Sequence, residues 1–260
     1  MASFQQGARI QLRVIQALII RELTTRFGRE NIGFLWVMAE PLLFAVLVGL
    51  LWRFQKGEMD HGVNIIAFVA TGYIPFVMFR SAINRAQGAF TANSSLLYHR
   101  QVKILDILLV RFLVEMIGHL MAWIFIAVVL GAAGQFPMPY DLGYVLLGWL
   151  YYSIFTFSVI SIVAPLSEMS EVLEKILPVT VYMMIPFSGA FVMNSWLTPA
   201  FRDVVMWSPA VHGMEMMRYG VFGDAVYPQY SASYPWFFFA PAMVLGLYLC
   251  RRLRKHMVVE

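Results

Sequence analysis

LGYVLLGWLYYSIFTFSVISIVAPLS, residues 142–167, runs for 26 residues without one Asp, Glu, Lys or Arg. A helix needs roughly 20 mostly apolar residues to cross about 30 Å of hydrocarbon, so this stretch reads as a membrane span with a little loop. Working outward, three more such runs cover 116–140, 176–201 and 225–250. Two shorter candidates precede them at 33–52 and 61–79, the first interrupted by Glu40-Pro41. Turn chemistry trims two runs: Gly134-Gln135-Phe136-Pro137-Met138-Pro139 ends the third span, and 194–199 ends the fifth. The expectation is an all-α integral membrane protein of six transmembrane helices. Composition agrees. Of 260 residues 60% are hydrophobic and 13% charged, where soluble domains carry about 45–50% and about 25%.

Charge sets the orientation. Six crossings put both termini on one face, and fifteen of the nineteen lysines and arginines fall on that face. They are Arg9, Arg13, Arg21, Arg26 and Arg29 before the first span, Arg80, Arg85, Arg100, Lys103 and Arg111 between the second and third, Lys175, and the tail Arg251, Arg252, Arg254 and Lys255. Only Arg53, Lys56, Arg202 and Arg218 fall opposite. By the positive-inside rule the terminal face is cytoplasmic, giving N-in/C-in. Residues 1–9 are polar and no cleavable signal peptide is expected. The single cysteine, Cys250, precludes an intramolecular disulfide.

Three segments exceed plain connectors. In the N-terminal arm, 1–32, Leu12, Ile15, Ile19 and Leu23 share one side of a helix, which suits either an interfacial helix or a basic flank that fixes topology. The stretch 81–105 mixes Asn84, Arg85, Thr91 and Asn93 with Phe90, Leu96, Leu97 and Tyr98, and reads as a docking knob for a soluble partner or as a solvated loop. The external segment 194–235 holds two helix-start signals, Thr198-Pro199 and Ser208-Pro209, a capping hydroxyl followed by Pro. The helices they open are short and apolar, suited to dipping into the membrane and returning. Glu215 and Arg218, spaced i, i+3, are placed to pair on one face.

Much chemistry is absent. The chain has no G-x-x-x-x-G-K-[ST] phosphate loop, no metal-ligand spacing among its five histidines, and no G-x-S-x-G elbow. No catalytic or metal residue is expected, and no directly bound cofactor. Glu40 and His119 are the intramembrane ionisable candidates: Glu40 either snorkels or pairs with an arginine such as Arg29, or serves transport directly, and His119 is a packed or helix-bridging residue or a proton relay. Aromatic side chains cluster at Phe34, Trp36, Phe44 and Trp52 in the first span and at Tyr182, Phe187 and Phe191 in the fifth. They form either an interfacial belt or the wall of a conduit for an amphipathic polymer.

The stretch Arg21-Glu22-Leu23-Thr24-Thr25-Arg26-Phe27-Gly28, followed by Ile32-Gly33-Phe34-Leu35-Trp36 and Glu40-Pro41-Leu42-Leu43, resembles the start of ABC-2-type polysaccharide export permeases. Trp207-Ser208-Pro209-Ala210-Val211-His212-Gly213-Met214-Glu215-Met216-Met217-Arg218 resembles their second landmark, Pro then Glu and Arg on a short external helix. The likeness spans the chain as a single transmembrane domain and looks most like the capsular polysaccharide branch. Glu40 before the Pro, and Ser208 where Asn is common, depart from the O-antigen branch.

The resemblance implies a homodimeric channel above two ATP-hydrolysing subunits that hold the ATP-Mg. Phe90, Asn93, Leu96, Leu97 and Tyr98 would be the ATPase-coupling element. Arg21, Glu22, Arg26, Phe27 and Glu40 would belong to a gate near the point of access for the substrate. These aromatic side chains of the first and fifth spans would line the conduit, and Pro209, Glu215 and Arg218 would sit in the re-entrant segment. It further implies a lipid-linked acidic polysaccharide substrate, a periplasmic co-polymerase and an outer-membrane exporter, in the bacterial inner membrane. Nucleic acid is not an expected partner. Two other readings stay open: an ABC-2 exporter of O-antigen, lipid or drug, and a membrane-embedded enzyme acting on lipid-linked sugars.

Overall fold

The computed structural model describes residues 4–27, 32–97 and 101–257, with the side chains of 4, 26–27, 32–38 and 255–257 outside the description. Helix α1 (Phe4–Phe27) leads to α2 (Ile32–Lys56), which continues through Pro41 rather than breaking there. A two-stranded hairpin, β1 (Met59–Asp60) and β2 (Val63–Asn64), then turns the chain. Its loop is His61-Gly62, both with positive φ, as a type I′ turn requires. Asn64 accepts hydrogen bonds from the Ile66 and Ala67 N–H groups and starts α3 (Ile65–Ala86). Hydropathy does not anticipate this hairpin.

Helix α3 is the centre of the molecule, with nearly every residue from Ile65 to Ala86 buried. It packs on α2, on α5 (Ile104–Ala132) and on α6 (Leu142–Met169). Between α3 and α5 lie a 3-10 turn at Thr91–Asn93 and the one-turn α4 (Ser94–Leu97). Helix α5 begins twelve residues before the uncharged run that suggested it, taking in Asp106, Arg111 and Glu115. Asp106 and Glu115 are buried and Arg111 half-buried, which is possible because each meets a partner that a hydropathy window cannot see. Ile117, Met121, Ile124, Phe125 and Val128 form its exposed apolar stripe, and Glu115, His119, Trp123 and Ile126 lie inward.

After α6 come α7 (Glu171–Met183), a 3-10 turn at Ile185–Phe187, α8 (Pro199–Val205), α9 (Pro209–Phe222) and α10 (Trp236–Met257). Both short helices start where the Thr-Pro and Ser-Pro pairs indicated. Neither hydroxyl caps through its side chain, however, so the prolines fix these starts. Helix α9 runs antiparallel along the first half of α6. A Cβ on Gly148 would stand 2.5 Å from the Gly213 carbonyl oxygen, and one on Gly220 2.5 Å from the Val145 nitrogen. Small residues allow two backbones this close, as in helix pairs that pack in lipid. Helix α10 runs parallel to α6, with Trp236 against Tyr151 at one end and Cys250 against Ser161 further along.

Among the described residues α3, α5, α6 and Trp236–Arg254 of α10 are long and apolar enough to cross a membrane. The protein is therefore an all-α integral membrane protein. Helix α2 has 25 residues. The 13 residues of α7 reach about 20 Å at about 1.5 Å per residue, and the rest of its uncharged run is turn, loop and the start of α8.

Candidate functional site

Polar side chains meet at the end of the bundle that carries α1, the 87–103 connection and the α6–α7 junction. Glu168, near the end of α6, accepts hydrogen bonds from the backbone N–H groups of Phe90 (2.9 Å) and Thr91 (3.0 Å) and from the Thr91 hydroxyl. Gln87 reaches the Glu174 carbonyl of α7 at 3.2 Å. The 90–97 knob is thus fastened to α6 and α7. Phe90 and Asn93, expected as contact residues for a partner, are buried in the chain itself. Thr91, Ala92, Ser94 and Ser95 are the exposed residues, Leu96 and Leu97 are half-buried, and Tyr98 lies outside the described residues. The physical reason is that one helical turn must bury something to hold its shape, and Phe90 supplies that anchor.

Helix α1 joins the same junction. Arg21 donates to the Asn93 side-chain carbonyl at 2.9 Å, and Glu22 lies 3.9 Å from Arg111 on α5. Arg111 in turn donates to the Arg85 carbonyl at 2.8 Å, while the Arg85 guanidinium pairs with the fully buried Glu115. Glu115 is also 3.4 Å from His119. Sequence reading places Arg21 and Glu22 in the arm and Arg85 in the 81–105 stretch, but singles out neither Glu115 nor Glu168, whose partners Arg85 and Thr91 lie far off in the chain. The arm's protein-facing stripe is Gln11, Val14, Ile15, Leu18, Ile19 and Glu22, and Leu12 and Leu23 of the expected stripe point outward. The Arg26 and Phe27 side chains are outside the description.

The aromatic residues of the first and fifth predicted spans come together in part. Phe44 stacks on Tyr73 of α3 at 3.8 Å, and Phe191 lies 6.1 Å from Trp52 and 6.3 Å from Tyr73. Tyr182 and Phe187 are exposed, and the side chains of Phe34 and Trp36 lie outside the description. Glu40 pairs with Arg80 of α3 at 2.8 Å. Arg29, named as a possible partner from the sequence, lies outside the described residues.

Helix α9 carries His212, Glu215 and Arg218, all buried. The Glu215–Arg218 pair expected from spacing is not formed as a direct ion pair; each group serves loop backbone instead. Glu215 accepts from the Asn194 and Gln229 N–H groups, both at 2.9 Å. Arg218 donates to the carbonyls of Gly189 (2.6 Å), Ala190 and Val192 (3.1 Å) and lies 3.8 Å over the Phe68 ring. The Ser231 N–H donates to His212 Nδ1, which leaves Nε2–H to donate to the Met206 carbonyl. Three side chains of one short helix thereby satisfy loop backbone that has no ladder of its own. Pro209 lines an apolar cavity of about 560 Å³ between α3, α6, α7 and α10, with Phe79, Phe155, Val181 and Phe238.

The site thus consists of a buried loop clamp on the short helix α9 and a fastened knob at the other end of the bundle. The chain belongs to the ABC-2 type transporter family, which it matches over residues 13–222. It is similar over nearly its whole length to capsule polysaccharide export inner-membrane proteins. BexB of Haemophilus influenzae is 38% identical across 97% of this chain and 96% of its own length. CtrC of Neisseria meningitidis serogroup B is 39% identical across 95% and 92%. The polysialic acid transport protein KpsM of Escherichia coli is 26% identical across 98% and 99%.

Proposed function

We propose that this chain is the multi-pass inner-membrane permease subunit of an ATP-driven exporter that moves lipid-linked capsular polysaccharide. One observation carries the reading: end-to-end similarity to capsule polysaccharide export proteins at 37–39% identity. The lack of a phosphate-binding loop in the sequence supports a separate ATPase partner, present in two copies and holding ATP-Mg. The exposed Thr91–Ser95 face is the surface we assign to it, with Phe90 and Asn93 as its internal anchors. In this reading α2 is the first crossing and α7, with the turns after it, the fifth, giving six crossings with both termini in the cytoplasm. Support comes from the charge count and from α1, the knob and the end of α10 sharing one face. Helices α8 and α9 form the re-entrant segment. Two copies build the conduit, with Phe44, Trp52 and Phe191 in its wall, and a periplasmic co-polymerase and outer-membrane exporter continue the path.

Deleting the gene and restoring it is the direct test. Surface polysaccharide should vanish and return, and the tagged chain should copurify with a nucleotide-binding subunit. Retention of surface polysaccharide in the deletion strain would sink the proposal. Topology is read separately, in a Cys250→Ser background. A membrane-impermeant maleimide should label Met138→Cys in intact spheroplasts and Ser95→Cys only after permeabilisation.

A further inference from the structure

Between the start of α5 and the last turns of α10 lies a second cavity, of about 680 Å³, that the reading above does not use. Its wall is apolar, made of Leu105, Val244, Leu247 and Tyr248, and its rim is basic, made of Lys103, Arg251 and Arg254. Among the described residues no acidic one lines it. Among the described residues none of the three cations forms an ion pair, although Arg53, Arg80, Arg85 and Arg111 each have a carboxylate within 4 Å. The carboxylate nearest in sequence is Asp106. It is buried and accepts the Lys103 backbone N–H at 2.9 Å, which commits it to starting the helix.

Three cations beside a hydrocarbon slot match one chemistry, an amphiphile with an anionic head and an apolar tail. Cavities of about 300–1,000 Å³ hold ligands of that order, and basic pockets between helices at the cytoplasmic side suit anionic headgroups. We propose that this cavity binds an anionic phospholipid of the bilayer. One acyl chain lies between α5 and α10, and the phosphate rests on Lys103, Arg251 and Arg254. The inner leaflet as its source rests on the N-in/C-in reading. Lys103 follows the knob by six residues. The bound headgroup therefore ties the exit of the knob to α10.

The test uses the full chain in neutral detergent, titrated with phosphatidylglycerol or with phosphatidylcholine of the same acyl chains, with binding read by native mass spectrometry. Phosphatidylglycerol should bind about tenfold or more tighter. The variant Lys103→Gln/Arg251→Gln/Arg254→Gln should lose that preference. Arg9→Gln/Arg13→Gln/Arg252→Gln, which removes the same charge elsewhere, should keep it. Equal binding of the two lipids, or a preference that survives in the first variant, overturns the proposal. So does equal competition by free glycerol phosphate, which would make the site one for phosphate alone. Labelling of Ser95→Cys from outside would instead overturn the topology, and the micelle measurement does not depend on it.

Discussion

Arg218 shows how a charge becomes structural inside a membrane protein. Its guanidinium is fully buried, and Nη1 and Nη2 donate to three carbonyls of the 189–192 turn, against the face of Phe68, while Nε has no hydrogen-bond partner among the described residues. The approach needs Gly72: a Cβ there would stand 1.8 Å from the Ala190 oxygen and 2.4 Å from Arg218 Nη2. Arg218→Met should therefore cost about 3 kcal/mol or more, because buried carbonyls lose charged donors. Arg218→Lys should recover only part, since an ammonium cannot span the same fork of acceptors. Both are read as the thermal unfolding midpoint of the purified protein. Gly72→Ala should destabilise by at least about 1–3 kcal/mol through overpacking. A stable Gly72→Ala protein with an unchanged midpoint would contradict the close approach.

Elements meet at the knob. Glu168 fastens it to α6, and Arg21 to Asn93 fastens it to α1, so movement of the knob is felt at both helices. In the assembled transporter, Glu168→Ala should leave ATP hydrolysis running while export falls about 2–30-fold, the range that a coupling energy of about 0.5–2 kcal/mol allows. Arg21→Ala and Asn93→Ala should each reduce export, and the double variant should be no worse than the poorer single one, because both remove the same bond. Strictly additive losses would show that the two residues act apart.

At the scale of the molecule, α3 is the buried hub, and α5 and α10 present wide apolar faces outward. The chain carries no phosphate-binding loop. Purified alone it should show no ATP hydrolysis above background, and activity should appear on adding its nucleotide-binding partner. Turnover by the chain alone would revive the reading of it as an enzyme.

The run 142–167 by itself settled that this is a helical membrane protein, because a bilayer allows few alternatives for 26 uncharged residues. Local chemistry also placed Pro199 and Pro209 at helix starts, since a proline's effect is confined to its own turn. Partnership was a different matter. That Glu215 serves Asn194 and Gln229 rather than Arg218, that Glu40 meets Arg80, and that Phe90 points inward depend on residues brought together across the chain. Spacing along one helix says which groups share a face. Only the packed neighbours decide which of them is the nearer and better hydrogen-bond partner.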